Sequence, residues 1–538
     1  MAVLTGIDVL GIQRYVFASN RLRDVLSASW MVDHVMRRES DSLLQWGMTD
    51  DRVLVAAGGN AVLDFGDLAA ARAWTAKYTR WLHDKAPGIE VVVCHRPYNE
   101  NFLASKLKAL AVDLARAKTE RCPSAPQLGL SVTASCSVTG LPATELDHHD
   151  GDPLCRTIAM LRDPNIQEQA KDRWREYLPP QRKFPDEFDR MGRTVGDTSL
   201  IGVVHIDGND VGQAVVHWLD QCIEKRTEPV RVRSEYREWS QAIDELGRGA
   251  LKAVIQRVHS QVNPKDEHHV LLGTPHHLNF FLRDEGDSVL LPLRPILLGG
   301  DDLTFVCDGR IALDLAVAAL REFESRTIPH LGPTRLTACA GVALVKAHAP
   351  FHRSYALAED LCASAKRARR LENEKLGASI TSWLDWHVGS TRPDETVDQV
   401  RTRDYQSGNL TMRPYPLVKF KDRDQSWEWL DTKLLGPGAN VAMAEQGFRG
   451  SKFWAKSRSR VKRLGGLVTA GGGGIGRQID SWNAIEEGIQ LPAGLPQNGF
   501  FANRTPLLDA IELLDLHLRL QPDPGGDWHP VSTREEPK

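Results

Sequence analysis

The chain has 538 residues, of which 42% are hydrophobic and 25% are charged, and its formal net charge is −3. This length exceeds that of one domain and predicts two to four domains, while the near-neutral charge excludes a polycationic chain, so any nucleic-acid contact must come from local basic patches. The apolar run at the N-terminus contains Asp8, and no stretch is apolar for long enough to cross a bilayer, so we expect neither a signal peptide nor a membrane span.

Cysteine usage indicates a reducing environment. The eight cysteines are spread along the chain and none of them forms a CxxC pair, which argues against a structural zinc site. Scattered single thiols are typical of a reducing compartment. We therefore predict a soluble protein of the cytoplasm.

A first α+β unit begins at the N-terminus. Residues 4–13 (LTGIDVLGIQ) indicate an apolar strand with Asp8 at its end and a glycine shortly after it. Residues 52–65 (RVLVAAGGNAVLDF) predict a hairpin with Gly-Gly at its tip, and residues 67–84 have the spacing of an amphipathic helix. A further apolar strand follows at 89–95. With a helix between the first strand and the hairpin, the predicted order is strand, helix, hairpin, helix, strand.

A second unit repeats this order. Its predicted elements are a strand at 203–213 (VVHIDGNDVGQ), a hairpin at 294–307 (RPILLGGDDLTFVC), a helix at 311–324 and a strand at 335–345. A helical insertion at 234–262, closed by Pro264, separates the first strand from the hairpin. Because Asp and Gly-Gly recur in the same order, we interpret the units as an internal repeat of α+β sheets with helices on one face. The alternative is that any two α/β segments look alike.

These patterns divide the chain into five parts. They are the first unit (1–140), a connector rich in Pro, Asp and Arg (141–195), the second unit (196–372), a mainly helical C-terminal domain with more Trp, Gly and Pro (373–520), and a flexible tail (521–538).

Three aspartates of the second unit are suited to hold a divalent cation. Asp207 ends one strand, while Asp301 and Asp302 lie at a hairpin tip where Gly299 and Gly300 let a phosphate approach the backbone. If the two strands are neighbours, the carboxylates converge. Carboxylate oxygens are the ligands of Mg²⁺ or Mn²⁺ in phosphoryl-transfer sites. The alternative for Gly-Gly-Asp-Asp is a simple tight turn.

Nucleotide contacts are predicted on both sides of these carboxylates. The segment after Asp207 leads into a helix whose first N–H groups suit a phosphate, and its candidates are Gly208, Asn209, Asp210 and Gly212, with Gly208 also a candidate metal ligand. The alternative is an N-cap without a ligand. Lys366 and Arg370, four residues apart on one predicted helix face, are candidates for the triphosphate. A solvated helix face is the alternative for this pair.

Two further segments stand out in the C-terminal domain. Residues 448–463 hold seven Lys or Arg and no acid, with aromatic residues interleaved, which suits single-stranded nucleic acid or a nucleotide product. A solvated helix face or a protein interface explains that composition equally well. Residues 471–476 formally fit GxGxxG but lack a βαβ frame, so we interpret them as a flexible loop.

Several segments together resemble a known family. ILLGGDDLTFVCDGRIALDLAVAALREFE, DGNDVG and CAGVALVKAHAPFHRSYALAEDLCASAKRAR resemble the large polymerase-like subunit of type III CRISPR effector complexes, and GIQRYVFASNRLRDVLSASWMV resembles that family's first palm domain. The resemblance covers residues 1–372, with the connector matching poorly. It implies two ferredoxin-like palm domains, related to GGDEF-type cyclases, and a synthase of cyclic oligoadenylates from ATP that serves antiviral defence.

The resemblance also implies roles for single residues. Asp207 matches the first metal-binding Asp of the family's Asp-x-Asp strand end, whose second Asp falls on Asn209 here, so metal binding is weaker or shared with Asp210. The Asp301-Asp302 pair matches the Gly-Gly-Asp-Asp carboxylates, and the helix with Lys366 matches the one that grips the triphosphate, Arg370 included. The family's N-terminal His-Asp nuclease domain and Cys-rich zinc element have no counterpart, which implies a compact or stand-alone relative.

Two hypotheses about function follow. The first is an enzyme that uses Mg²⁺ (or Mn²⁺) to condense ATP, or GTP, into a cyclic or short oligonucleotide messenger. The second is a non-catalytic palm scaffold that binds a nucleotide or nucleic acid in a defence complex, an interpretation that Asn209 favours and the intact Asp301-Asp302 pair disfavours. Possible partners are RNA, other CRISPR-associated subunits or further copies of this chain.

The two units are not equivalent. Where the second has Gly299-Gly300-Asp301-Asp302, the first has Gly58-Gly59-Asn60-Ala61 and keeps only Asp8 as a carboxylate. One carboxylate is a poor Mg²⁺ site. We therefore predict an internal pseudo-dimer with one metal-competent site, in which Gly58 and Gly59 lend backbone groups to a second nucleotide.

Overall fold

The computed structural model describes most of the chain. The described residues are 1–121, 129–191, 199–265, 268–274, 280–328, 336–376, 381–392, 394–406, 409–419, 423–436, 447–451, 453–471 and 473–521. All of the predicted tail except Gln521 lies outside them.

The first domain, palm 1, is a four-stranded antiparallel sheet with helices. Its elements are β1 (Ala2–Leu10), α1 (Ile12–Val16), α2 (Leu22–His34), β2 (Val53–Ala57), β3 (Asn60–Phe65), α3 (Leu68–Lys85), β4 (Glu90–Tyr98) and α4 (Leu103–Glu120). The strand order is β2-β3-β1-β4. Gly58 and Gly59 form the two-residue hairpin loop, and both have a positive φ, of 58° and 80°, which glycine adopts without steric cost.

The connector holds short elements. They are β5 (Glu145–Leu146), β6 (Pro153–Leu154), α5 (Arg156–Leu161), α6 (Pro164–Asp172) and β7 (Arg182–Lys183). Helix α6 begins with proline at its first position, after Asp163, whose side chain accepts hydrogen bonds from the N–H groups of residues 165 and 166. It packs against α2, so the connector is attached to palm 1.

The second domain, palm 2, repeats the first sheet. Its elements are β8 (Leu200–Gly208), α7 (Val211–Glu224), α8 (Pro229–His259), β9 (Val262–Lys265), β10 (His268–Leu271), β11 (Gly273–Thr274), β12 (Phe280–Leu282), β13 (Asp284–Glu285), β14 (Ser288–Leu290), β15 (Leu293–Gly299), β16 (Asp302–Asp308), α9 (Ala312–Ser325), β17 (Ala338–Lys346) and α10 (Phe351–Leu376). The order β15-β16-β8-β17 matches β2-β3-β1-β4 of palm 1. The internal repeat predicted from the sequence is therefore confirmed.

Helices cover both faces of the palm 2 sheet, whereas the sequence predicted helices on one face. Gly202 and His205 point to opposite faces of β8, because side chains alternate along a strand. A Cβ at Gly202 would collide with α9 at Ala312, whereas one at Gly341, which pairs with His205, would collide with α10 at the Ala358 carbonyl. The sequence prediction considered only the helices inside the repeat. Helix α10 follows the last strand of the repeat and covers the other face of the palm 2 sheet.

One predicted element boundary is wrong, and one predicted domain boundary falls inside a helix. Helix α8 ends at His259, and Pro264 lies within β9, so proline does not close the helix. The boundary at residue 372 falls inside α10, and the palm 2 sheet continues beyond it with β18 (Trp383–Val388), which pairs in parallel with β17. The sequence hid this strand because WLDWHV carries two polar residues, yet Asp385 is fully buried and bound to Arg401.

The C-terminal domain is mainly helical, as predicted. After β18 it contains α11 (Val397–Asp404), β19 (Tyr415–Pro416), α12 (Trp427–Trp429), α13 (Gly447–Gly450), α14 (Arg458–Thr469), α15 (Ile475–Asn483), α16 (Leu507–Leu513) and β20 (Arg519–Leu520). Strand β19 pairs with β18, and β20 pairs with β11 of palm 2. No helix in the described part of the chain is long and apolar enough to span a membrane.

The two palms pack against each other as an internal pseudo-dimer. On one side, Lys108 of α4 pairs with Asp220 of α7 at 2.6 Å. On the other side, Phe17 after α1 stacks on Tyr355 of α10, with ring centroids 4.1 Å apart. Because α4 and α10 occupy equivalent places in the two palms, the two contacts are related by the repeat.

Candidate active site

Strand pairing brings three carboxylates to one edge of palm 2. Asp207 and Asp302 lie directly opposite each other in the antiparallel pair of β8 and β16. The Gly208 N–H donates to the Asp301 carbonyl at 3.1 Å, and a Cβ at Gly208 would lie only 2.7 Å from Asp301 Oδ2. Glycine is therefore needed at 208 to let the Asp301 carboxylate fold over the strand end. The convergence predicted from the sequence is observed.

Helix α8 supports the turn from behind. A Cβ at Gly247 would collide with the Gly300 carbonyl, and Ile243 would lie 2.9 Å from a Cβ at Gly300. Gly300 has a φ of 71°, which favours glycine at this corner. The predicted insertion thus supports the Gly-Gly-Asp-Asp turn, and Gly299 and Gly300 lie where the sequence placed them.

Lys366 is the cation of the site. Its Nζ lies 2.6 Å from Asp207 Oδ2 and donates to the Gly208 carbonyl at 3.0 Å. The Lys366 side chain is 19% exposed, whereas that of Asp207 is 40% exposed toward solvent. The lysine is therefore anchored at the rim, within reach of anything that binds beside Asp207.

Burial raises the pKa of the two turn carboxylates. The pKa of Asp301 rises to about 6 and that of Asp302 to about 7, first because burial penalises the charged form and second because Asp207 repels a second negative charge. Asp302 keeps 42% of its side chain open to solvent, while its Oδ1 atom is enclosed without a hydrogen bond among the described residues. The site therefore carries negative charge that one lysine does not compensate.

This donor set fits a hard divalent cation. Mg²⁺ takes carboxylate oxygens, keeps several of its waters, and needs two or three such ligands. Asp207, Asp301 and Asp302 would hold it, with the Gly208 carbonyl as a further oxygen. Within the described residues, the cluster whose ligand atoms all lie within 4.8 Å of one another is His34, Glu39 and Asp41. The aspartates thus form an open set that a cation would draw together in competition with Lys366.

The segment after Asp207 contains a buried structural residue, Asn209, and leads into the open start of helix α7. Asn209 is buried, and its amide donates to Thr337 Oγ1 at 3.0 Å, so it joins β8 to the start of β17. Asp210 has a left-handed backbone, with a φ of 59°, and its side chain makes no capping bond, so the N-cap interpretation is wrong. The space around Gly212 is open at the start of α7, where N–H groups suit a phosphate.

Arg369, which the sequence did not single out, contacts this segment. It is buried on α10 and forms an ion pair with Asp210. Arg370, the predicted phosphate ligand, is exposed. Residues 369 and 370 lie three and four positions after Lys366, so both are neighbours of Lys366 on one helix face. Helix spacing alone could not decide which of the two arginines contacts the site. The ion pair with Asp210 is the contact that distinguishes Arg369 from Arg370.

Palm 1 keeps a reduced copy of this site. Asp8 pairs with Lys118, and Lys118 and Lys366 are each the sixteenth residue of their helices. Asp8 lies opposite Asn60, as Asp207 lies opposite Asp302. Asn60 therefore corresponds to Asp302, and the sequence alignment of the two turns, which matched Asn60 with Asp301, was wrong by one residue. One carboxylate and one lysine remain in palm 1.

Sequence reasoning also missed His205. It lies two residues before Asp207 in an otherwise apolar strand, and the alternation of a strand places both on one face. His205 is buried, and burial lowers its pKa. Its Nδ1 lies 3.3 Å from Asp302 Oδ1. A histidine within a buried apolar run was the signal that could have identified it.

The basic segment at 448–463 is partly core. Phe448 and Trp454 are buried, and Arg449 donates to backbone carbonyls, including that of His517. Lys452 lies outside the described residues. Two of the three aromatic residues of this segment, Phe448 and Trp454, therefore belong to the core and do not form a surface platform for nucleic acid. Gly472 of the predicted loop also lies outside the described residues, and α15 begins at Ile475.

Comparison with known proteins identifies the second palm. Residues 200–374 match the family model of the second palm domain of Cas10/Cmr2. The chain is also similar to crystal structures of the Csm1–Csm4 cassette. The structure in complex with cA3 has 14% identity and a TM-score of 0.51, and the match covers 97% of this chain and 70% of that chain. The complex with one ATP (13% identity, TM-score 0.51) and the apo structure (14% identity, TM-score 0.50) each match over 96% of this chain and 70% of that chain. At such identities the similarity shows the fold. Comparison with curated sequences gives no match. The chain thus contains a domain that matches the second palm domain of Cas10/Cmr2, within a fold similar to that of the matched chain in the Csm1–Csm4 structures.

Proposed function

We propose that this chain is a Mg²⁺-dependent nucleotidyltransferase that condenses ATP into a cyclic or short oligonucleotide. The observation that carries the proposal is the meeting of Asp207, Asp301 and Asp302 beside Lys366 at one sheet edge. Similar solved structures hold ATP or cA3. ATP is therefore the first substrate to test, with GTP second, and antiviral defence of the CRISPR type is the expected setting.

In the proposed reaction, the 3′-hydroxyl of one nucleotide attacks the α-phosphorus of another. A P–O bond forms, the bond to the β-phosphate oxygen breaks, pyrophosphate leaves, and the hydroxyl proton goes to solvent. A bound Mg²⁺ supplies charge neutralisation and a lower pKa for the hydroxyl. The three aspartates hold the ion, Lys366 moves from Asp207 to a phosphate oxygen, and the N–H groups at the start of α7 contact the triphosphate.

A second candidate function is a nucleotide-binding scaffold without turnover. Asn209 favours it, because the amide of Asn209 is committed to Thr337 and supplies no charge at the position of the family's second Asp. The matched Csm1 structures contain Csm4. We propose a comparable protein partner, together with RNA, for this chain in either function.

Incubation with α-labelled ATP or GTP and Mg²⁺ or Mn²⁺ tests the enzyme, with products separated by chromatography. Labelled oligonucleotides should form and should disappear in D301A/D302A, while N60A, which changes the corresponding position of palm 1, should retain activity. Binding of ATP that depends on Asp301 and Asp302, without product even after addition of partner subunits and RNA, would favour the scaffold.

A further inference from the structure

The two palms differ in the residues next to the metal carboxylates. The groups next to Asp302 in palm 2 are polar, namely His205 on β8, Thr304 on β16, and Tyr355 and Glu359 on α10. Strand register and the matching lysines align them with Gly6, Val62, Leu107 and Ala111 of palm 1. None of these four palm 1 residues has a polar side chain. The polar set therefore occurs in the palm that has the carboxylates.

His205 lies directly behind Asp302. Its Nδ1 is 3.3 Å from Asp302 Oδ1 and 3.1 Å from Thr304 Oγ1. The Oδ1 atom is enclosed and has no hydrogen bond among the described residues. An enclosed carboxylate oxygen without a donor is costly, and a small rotation of either side chain lets the Nδ1–H donate to it. This hydrogen bond would leave the other oxygen of Asp302, Oδ2, for a cation.

Tyr355 and Glu359 extend this set to palm 1. The Tyr355 ring meets the His205 ring edge-on, with centroids 5.5 Å apart, and the Tyr355 hydroxyl interacts with the side chains of Gln13 and Thr304, which lower its pKa against the larger effect of burial. The Gln13 amide also donates to Glu359. Gln13 lies on α1 of palm 1, so a continuous chain of contacts runs from palm 1 to Asp302.

We infer that His205 is a positioning residue for Asp302. Gln13 of palm 1 acts on His205 through Tyr355 and Thr304. The inference rests on the proposed function, in which Asp302 binds the cation. A carboxylate ligand whose second oxygen is fixed by a hydrogen bond presents the first oxygen in one orientation, and partners of this kind change metal affinity 10- to 100-fold in known sites. The docking of palm 1 thereby contributes to cation binding in palm 2.

Mn²⁺ binding to the nucleotide-free protein, followed by electron paramagnetic resonance, tests this inference without turnover. H205A should weaken Mn²⁺ binding about 10-fold or more, while H205N, whose amide nitrogen can replace Nδ1, should bind within about threefold of wild type. Should H205A fail to fold, H205N and the palm 1 variants carry the test.

The palm 1 variants change Gln13 and Arg14, the two exposed residues of helix α1. Q13A should weaken Mn²⁺ binding about threefold to tenfold, because the contact acts through intermediates. R14A changes the neighbouring exposed residue and should leave the affinity unchanged. With ATP as substrate, Q13A should raise the Mn²⁺ concentration required for half-maximal rate while leaving the KM for ATP within about twofold.

The outcomes separate this inference from the proposed function. Equal Mn²⁺ affinity in wild type, H205A and Q13A, with loss of binding in D301A/D302A, would overturn the positioning role alone. A loss in H205A that H205N does not restore would assign His205 to packing and overturn it as well. Mn²⁺ binding that survives D301A/D302A would overturn the proposed site and, with it, this inference.

Discussion

Asp301 and Asp302 are adjacent carboxylates on a partly buried turn, and this arrangement has a consequence for stability. Their pKa values of about 6 and about 7 lie above the ordinary value of about 3.9 for an unfolded chain. The folded state therefore binds these protons more tightly than the unfolded state. Their contribution to stability is complete below about pH 4 and is lost as the pH rises through about 6 to 7.

The metal-free wild-type protein should accordingly lose more stability between about pH 5 and pH 8 than D301N/D302N, which has no carboxylate to ionise at the turn. Thermal unfolding at the two pH values measures the difference, and the variant should be the more stable protein at the higher pH. Parallel pH profiles of the two Tm values would contradict this prediction, because they would show that folding does not raise the pKa of the turn carboxylates.

Lys366 and Lys118 provide a matched pair. Each forms an ion pair with the aspartate at the end of the first strand of its palm, but only Lys366 has further carboxylates nearby. K366A should raise the KM for ATP about tenfold, because a charged phosphate contact is lost, whereas K118A should change it by less than about twofold. Equal effects of the two substitutions on KM would indicate two equivalent sites and contradict the asymmetry.

At the scale of elements, the two hairpin turns face each other across the palm interface. A Cβ at Gly58 would lie 3.2 Å from the Gly299 carbonyl oxygen, and a Cβ at Gly299 would lie 3.2 Å from the Gly58 Cα. Palm 1 thus limits the space in which the Gly-Gly-Asp-Asp turn can move. The predicted approach of the Gly58 backbone to the site is observed, while its contact with a second nucleotide remains a prediction.

G58A tests whether this approach matters. Gly286 is a matched control, since its φ of 62° is close to the 58° of Gly58 but a Cβ there would meet nothing within 4 Å. Both substitutions should cost about 1–2 kcal/mol in backbone strain. Only the added Cβ of G58A would contact the Gly-Gly-Asp-Asp turn. G58A should therefore lower the rate of ATP turnover about tenfold, whereas the rate of G286A should stay near that of wild type. Equal rates for G58A and G286A, with similar losses of Tm, would contradict the role of the interface.

The sequence revealed those elements whose pattern is local. The hairpins, the strand aspartates and the repeat were predictable because Gly-Gly, Asp and period-2 apolar runs lie within short windows. Strand β18 was missed because a buried Asp385–Arg401 pair replaces apolar residues, and Arg369 was missed because its partner Asp210 is distant in sequence. Contacts that depend on tertiary pairing leave no such local pattern.

At the scale of the whole molecule, the repeat explains why one site is complete and the other is not. Both palms have the same strand order, the same lysine position and a residue pair at equivalent strand ends, Asp8–Asn60 in palm 1 and Asp207–Asp302 in palm 2. Palm 1 has Asn60 where palm 2 has Asp302, and Gly59 where palm 2 has Asp301. In the function that we propose, palm 1 is therefore a partner domain that shapes the site of palm 2.

A crystal structure with Mn²⁺ and a non-hydrolysable ATP analogue tests this central claim most directly, because anomalous scattering locates the ion. We predict metal density beside Asp207, Asp301 and Asp302, with Lys366 moved onto a phosphate, and no metal beside Asp8 and Asn60. Metal at Asp8 alone, or a nucleotide bound away from the Gly-Gly-Asp-Asp turn, would contradict the assignment of the site to palm 2.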